Sequence, residues 1–207
     1  REELSGDALA LADEAGAERF HLVGHDWGGV LAWDIALRAP ERVTSLTVLS
    51  TPHPTALGHA LKTPDQLKKS WYIGMFQIPA APERLLAGRV GTLTRRAGIP
   101  EEAAERYERR FATADDLRGP INWYRAMLRK DGVTGKNAGN GIITMPTTFV
   151  WGNRDPALGR TAAEETEVYV HAPYEFVELD AGHWLPEREA PAVAEAIVDR
   201  ISSVTCD

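Results

Sequence analysis

The run Phe20-His21-Leu22-Val23-Gly24-His25-Asp26-Trp27-Gly28-Gly29 forces a strand to turn sharply into a helix, with an acid at the bend. Phe20 to Val23 are apolar or aromatic apart from one His, which suits a short buried strand. Val30, Leu31, Trp33, Ile35 and Leu37 continue as a mostly apolar helix that stops near Pro40. Gly24, Gly28 and Gly29 are expected to clear space around Asp26, because side chains there would collide in so tight a bend. A lone Asp before a helix is ordinarily an N-cap, since it accepts backbone N–H groups and suits the helix dipole. The surrounding glycines, the Trp that follows and the partners downstream favour a chemical role instead. A carboxylate is ionised at neutral pH and attacks carbon without a base first removing a proton. On an ester carbonyl it would give an anhydride. On a saturated carbon carrying a leaving group it gives an alkyl ester of Asp26, which water must then cleave, so a general base is needed elsewhere.

Candidates for that base and its acid follow in chain order. Thr147-Thr148-Phe149-Val150-Trp151-Gly152 reads as another strand, with Asp155 in the turn just past it. Glu175-Phe176-Val177-Glu178-Leu179 alternates like the next strand and is followed by Asp180-Ala181-Gly182-His183-Trp184. Both residues thus fall in loops after strands, the edge at which open α/β sheets build their sites. His183 can take a proton from water, while Asp155 fixes its tautomer and stabilises the imidazolium. Asp155 before Pro156 is also ordinary turn chemistry, and a loop His is often merely solvated. The ordered trio after three strands is what sets them apart.

The segments Gly24-His25-Asp26-Trp27-Gly28-Gly29, Pro40-Glu41-Arg42-Val43, Thr51-Pro52-His53-Pro54, Trp151-Gly152-Asn153-Arg154-Asp155-Pro156 and Gly182-His183-Trp184 span nearly the whole chain. In them the chain resembles the epoxide hydrolase branch of the α/β-hydrolases, close to the haloalkane dehalogenases, with Asp at the elbow where esterases carry Ser. The resemblance implies an α/β-hydrolase fold, with a mostly parallel sheet and a helical cap inserted between strands. It assigns 1–54 and 145–207 to the core and 55–144 to the cap. It makes Asp26 the nucleophile, Asp155 the acid and His183 the base of epoxide opening to a vicinal diol by water. Haloalkane dehalogenation by the same triad, or ligand binding without catalysis, are the alternatives.

Within the insertion, Leu57–Lys69, Pro82–Ala97 and Glu101–Phe111 have helical composition, with Pro64, Pro79, Pro82, Pro100 and Pro120 as boundaries. Trp71-Tyr72-Ile73-Gly74-Met75-Phe76-Gln77-Ile78-Pro79 is similar to the family's first cap-tyrosine segment, and Arg118-Gly119-Pro120-Ile121-Asn122-Trp123-Tyr124-Arg125 to its second. The resemblance therefore carries two hydroxyl donors over to Tyr72 and Tyr124. Ring opening makes an alkoxide, a strong base, whereas a halide leaves without acid help. Phenols near pKa 10 can donate to that oxygen and yet stay neutral at pH 7. Trp27 occurs in both families and does not separate them; its backbone N–H is the expected oxyanion donor. Tyr107 is read as packing, His25 and His53 as structural hydrogen-bonders, and His21, His59 and His171 as solvated or packing residues.

The 207 residues are 43% hydrophobic and 26% charged, with a net charge of −7 that argues against a nucleic-acid surface. The single Cys, Cys206, excludes an internal disulfide framework, and the scattered histidines suggest no metal. No cofactor is implied; an epoxide and water are the expected partners, and the oligomeric state is left open. No membrane-span-length apolar run or signal-peptide core occurs, so a soluble cytoplasmic chain without membrane contact is expected. Asp131–Gly141 reads as a linker returning to the sheet. The chain begins at Arg1 and contains no His-Gly dipeptide, whereas the family carries a His-Gly-x-Pro loop and several strands before the elbow. The expectation is the C-terminal part of a longer protein, starting just before the fifth of eight strands and leaving one side of the sheet exposed.

Overall fold

The computed structural model describes residues 2–128 and 141–205. Of the linker, residues 131–140 lie outside that range, as does Cys206. The chain opens with α1 (Glu2–Glu14), β1 (Phe20–His25), α2 (Trp27–Arg38) and β2 (Val43–Leu49). Seven helices follow without a strand: α3 (Pro54–Ala60), α4 (Pro64–Lys69), α5 (Trp71–Phe76), α6 (Ala81–Leu86), α7 (Val90–Arg96), α8 (Glu101–Arg110) and α9 (Ala114–Met127). Then come β3 (Thr147–Gly152), α10 (Arg160–Glu165), β4 (Tyr174–Leu179), α11 (Leu185–Arg188) and α12 (Ala190–Thr205).

The four strands form one parallel sheet in the order β1-β2-β3-β4. Helices cover both of its faces, which is why β2 and β3 read as nearly unbroken apolar runs. Successive residues of β3 point to opposite faces. Phe149 and Trp151 join Trp33, Ile35, Leu46 and Val48 in the core beneath α2, whereas Val150 joins Leu49, Leu185 and Val193 beneath α12. β1 pairs with β2 alone among the described residues, and Val23 on it is exposed. All four strands were legible in the sequence, β2 as the apolar run Val43–Ser50. No helix among the described residues is long and apolar enough to cross a membrane.

The helical stretch between β2 and β3 departs from expectation in three places. Leu57–Lys69 is two helices, because Thr63 precedes Pro64 and is pushed into an extended conformation, from which it caps α4. Pro82–Ala97 is also two, interrupted at Gly88 with φ +63°. Pro120 is no boundary: it sits inside α9. A capping box between Thr113 and Asp116 starts that helix. Burial of Leu117 and Ile121 outweighs the lost backbone hydrogen bond.

The glycines of the bend are not equivalent either. A Cβ on Gly24 would run into the Gly28 carbonyl and lie 2.8 Å from Ala32 Cβ; one on Gly29 would lie 2.9 Å from Thr51 Cβ. A Cβ on Gly28 meets nothing within 4 Å, so the expected steric need there is absent. Gly24→Ala should therefore lower stability by about 3 kcal/mol, as overpacking against backbone does. Gly28→Ala should stay within about 1 kcal/mol of the parent protein. Urea melts of the two variants check the contrast.

Candidate active site

Because the sheet is parallel and its strands are adjacent in order, all four carboxyl ends lie along one edge. Each contributes to a single cluster. Asp26 follows β1 directly, Ser50 and Thr51 follow β2, Asp155 lies in the turn after β3, and His183 lies in the loop after β4.

Asp26 adopts φ 52°, ψ −120°, a conformation that costs a non-glycine residue about 1–3 kcal/mol. Two bonds hold it there: its backbone carbonyl accepts the Val30 N–H at 3.0 Å and the Thr51 hydroxyl at 2.9 Å. Its side chain makes no capping bond to α2, so the N-cap alternative is set aside by geometry. The carboxylate turns instead toward His183, with Asp26 Oδ1 at 3.1 Å from His183 Nε2. On the far side of the ring, Nδ1 donates to Asp155 Oδ2 at 2.7 Å. The remaining Asp155 oxygen accepts the backbone N–H groups of Ala157 and Leu158 at 2.7 and 2.9 Å. All three candidate residues are thus brought into one hydrogen-bonded line.

His183 is also fixed through its backbone. Its carbonyl accepts the Ser50 hydroxyl at 2.8 Å and the His25 Nε2–H at 2.9 Å. The bond from His25 was expected. Ser50 was not singled out, although a small polar residue ending an apolar strand is a readable sign. Gly152 permits the approach of β3 to the His183 loop, since a Cβ there would collide with the carbonyls of Ala181 and Gly182.

Burial alone would lift the Asp26 carboxyl, but the His183 bond and charge and the Trp27 backbone N–H outweigh it and hold it below the usual range. Burial would likewise lower His183, yet its bonds to Asp155 and Asp26 and their charges push it up to about 10. At neutral pH the resting arrangement is an imidazolium between two carboxylates. His25, 5.1 Å from it ring to ring, is held below its usual pKa by burial and by the His183 charge.

Asp26 opens into a cavity of about 70 Å³. Tyr72 and Tyr124 line it together with Trp27 and the apolar side chains of Val30, Leu61, Ile73, Met127 and Leu158. The two tyrosine rings lie edge to face at 5.7 Å, and Tyr124 packs against Trp27 at 5.0 Å. Burial first, then repulsion from neighbouring groups including the Asp26 charge, raises both phenols well above 10, so both stay protonated. Tyr107 stacks on Phe111 outside this cavity, in keeping with a packing role. A larger hollow of about 480 Å³ lies near α6 and α9, where Arg125 pairs with Glu83 at 2.5 Å and Arg118 with Asp115 at 2.7 Å.

His53 is fully buried; it accepts the Thr55 N–H and stacks on Tyr169 at 4.6 Å. His21 bonds Ser45 and His59 pairs with Glu165, so both are more engaged than solvated residues. Among the described residues, no three His, Cys, Asp or Glu side chains are grouped to hold a metal ion.

Known proteins share this arrangement of elements. The alpha/beta hydrolase fold family matches residues 2–190. The AB hydrolase superfamily protein YfhM of Bacillus subtilis is 32% identical, over 94% of this chain and 70% of its own length. Epoxide hydrolase 3 of Xenopus tropicalis is also 32% identical, over 93% of this chain; the chain spans only 55% of that relative's length. The crystal structure of Epoxide Hydrolase A from Mycobacterium thermoresistibile superposes with a TM-score of 0.78 at 30% identity, covering 96% of this chain and 74% of that one.

Removing the Asp26 charge should lower the His183 pKa, because one of the two carboxylates that favour the imidazolium is lost. An NMR titration of the imidazole in Asp26→Asn, set beside that of the parent protein, should show the midpoint falling. An unmoved midpoint would mean that the two groups are not coupled.

Proposed function

The chain belongs to the alpha/beta hydrolase fold family, on its epoxide hydrolase branch, and from that premise we propose that it opens a small-molecule epoxide to a vicinal diol. The observation that carries this proposal is one cavity lined at once by Asp26 and by two phenols, Tyr72 and Tyr124. The helices of 55–144 act as the cap, and 1–54 with 145–207 as the core. The substrate is expected to meet the protein in the cytoplasm, without nucleic acid or membrane involved.

Asp26 attacks an epoxide carbon and the C–O bond breaks toward the tyrosines. One phenol gives its proton to the developing alkoxide, help that is worth about 10²–10⁴-fold. The Asp26 charge has now become an ester, so His183 loses one of its two stabilising carboxylates and its pKa falls. Its proton returns to the phenolate, leaving a neutral imidazole that Asp155 holds in position. That imidazole takes a proton from water as the water attacks the ester carbonyl. The oxyanion forms on the Asp26 side chain itself, beside the Trp27 backbone N–H that helps to hold the resting carboxylate ionised. Collapse breaks the ester C–O bond, and the departing alkoxide takes a proton from His183. The ring recovers one from the new carboxyl, leaving the diol, the Asp26 carboxylate and the His183 imidazolium. No metal or cofactor takes part, and water is the only co-substrate.

Replacing the base should stop the cycle halfway. In the full-length protein, His183→Gln should accumulate an ester on the peptide containing Asp26, heavier by the mass of the epoxide. The unaltered enzyme turning over in ¹⁸O-water should carry label into that carboxylate. An unlabelled Asp26 after one turnover would rule out the covalent route.

The leaving group is tested separately. Tyr72→Phe and Tyr124→Phe should each slow ester formation from styrene oxide, and the double change should nearly abolish it, since one phenol can partly cover for the other. Release of halide from a 1-haloalkane at a rate that these changes leave intact would favour a dehalogenase instead.

A further inference from the structure

We propose that Gln66 and Lys69, on α4, are positioning residues that tie the loop carrying Asp155 to the helix carrying Tyr72, so that acid, base and hydroxyl donor keep one spacing. The proposal rests on the epoxide-opening reading and deepens it.

Gln66 is 1% exposed, and its whole amide is engaged. Its Nε2 donates to the Ala157 carbonyl at 2.7 Å and to the Ser70 hydroxyl at 3.0 Å; its Oε1 accepts the Gly159 N–H at 2.8 Å. The orientation is unambiguous, because a carbonyl can only accept and a backbone N–H can only donate. One turn of helix later, Lys69 Nζ donates to the Asp155 backbone carbonyl at 2.8 Å. Asp155 grips the same loop from within, through Ala157 and Leu158. The five residues 155–159 are therefore held by the acid's own carboxylate on one side and by α4 on the other. Gly159 lets the helix come this close: a Cβ there would lie 2.9 Å from Asp65 Oδ2 and 3.3 Å from Gln66 Oε1.

Burying an amide is costly unless every group finds a partner, and an apolar side chain of similar size would fill the space without that cost. The choice of Gln is explained by what it connects. Ser70, which accepts from Gln66, is the last residue before α5 and lines the same cavity as Asp26 and Tyr72. Any displacement of α5 thus strains the bonds to the Asp155 loop, and any displacement of that loop strains α5. A misplacement of about 1 Å in such a constellation costs about 10²-fold in rate.

The test uses Gln66→Met and Lys69→Met in the full-length protein, with circular dichroism to establish that each is folded. Two quantities are followed: the rates of ester formation and ester hydrolysis on styrene oxide against pH, and the downfield proton resonance of His183 Nδ1–H, assigned by its loss in Asp155→Asn. Gln66→Met should slow both half-reactions by about 10²-fold, lower the pH midpoint of hydrolysis as Asp155 supports the imidazolium less well, and shift or broaden the resonance. Lys69→Met should move the same quantities in the same direction by less. If Gln66→Met does not fold, Lys69→Met, whose partly exposed side chain is easier to replace, decides the matter. Folded variants with parental rates, midpoint and resonance would overturn the proposal while leaving epoxide hydrolysis untouched. A parent protein that turns over no epoxide, with a resonance that still moves in the variants, would uphold the tie and defeat the reading of the reaction instead.

Discussion

One imidazole bonded to two carboxylates, His183 to Asp155 at 2.7 Å and to Asp26 at 3.1 Å, is the interaction around which the remaining structure is arranged. It needs three side chains from residues 26, 155 and 183 on one line, and a parallel sheet in chain order delivers them to one edge. The same interaction sets the electrostatics of the site. Both carboxylates favour the imidazolium strongly enough to overcome its burial, and the imidazolium holds Asp26 ionised in return. A chemical event at either carboxylate changes the basicity of the ring between them. That is the physical content of the proposed switch of His183 from paired cation to base.

The line holds only because each member is fixed through its backbone as well as its side chain. Asp26 sits at a positive φ, and Val30 and Thr51 grip its carbonyl. The carbonyl of His183 takes donors from Ser50 and His25. The Asp155 loop folds around its own carboxylate and is met from outside by Gln66 and Lys69. Strain at a reactive residue persists only where its surroundings over-determine it, and in this site each of the three has two or more such restraints.

The helical segment supplies what the sheet edge lacks. Tyr72 and Tyr124 come from α5 and α9, and they reach the cavity above Asp26 by packing against each other, Phe76 and Trp27. Their burial keeps them protonated, as the proposed donation to an alkoxide requires at neutral pH. The lining around them is mainly apolar, with Asp26, the two phenols, Thr51 and Ser70 as its carboxylate- and hydroxyl-bearing residues.

What the chain determined by itself is what local chemistry encodes. Four apolar runs bounded by turn residues gave four strands, and the Gly-flanked Asp26 marked the bend. The order Asp26, Asp155, His183 was visible because each follows a strand by only a few residues. Tyr72 and Tyr124 were reachable only through resemblance, since nothing in their own segments tells a pocket phenol from a packing one. The tertiary structure decided the rest. Pro120 lies inside α9 because a capping box and buried Leu117 and Ile121 outweigh its missing donor. Gly28 proved sterically free while Gly24 did not, which depends on where the first turn of α2 passes. Ser50 meets His183 across 133 residues, and Gln66 meets Ala157 across 91. Periodicity and turn chemistry report which face of an element is buried and where it ends. They carry no record of which distant backbone will lie against it, and in this protein those distant contacts hold Asp26, Asp155 and His183 in line.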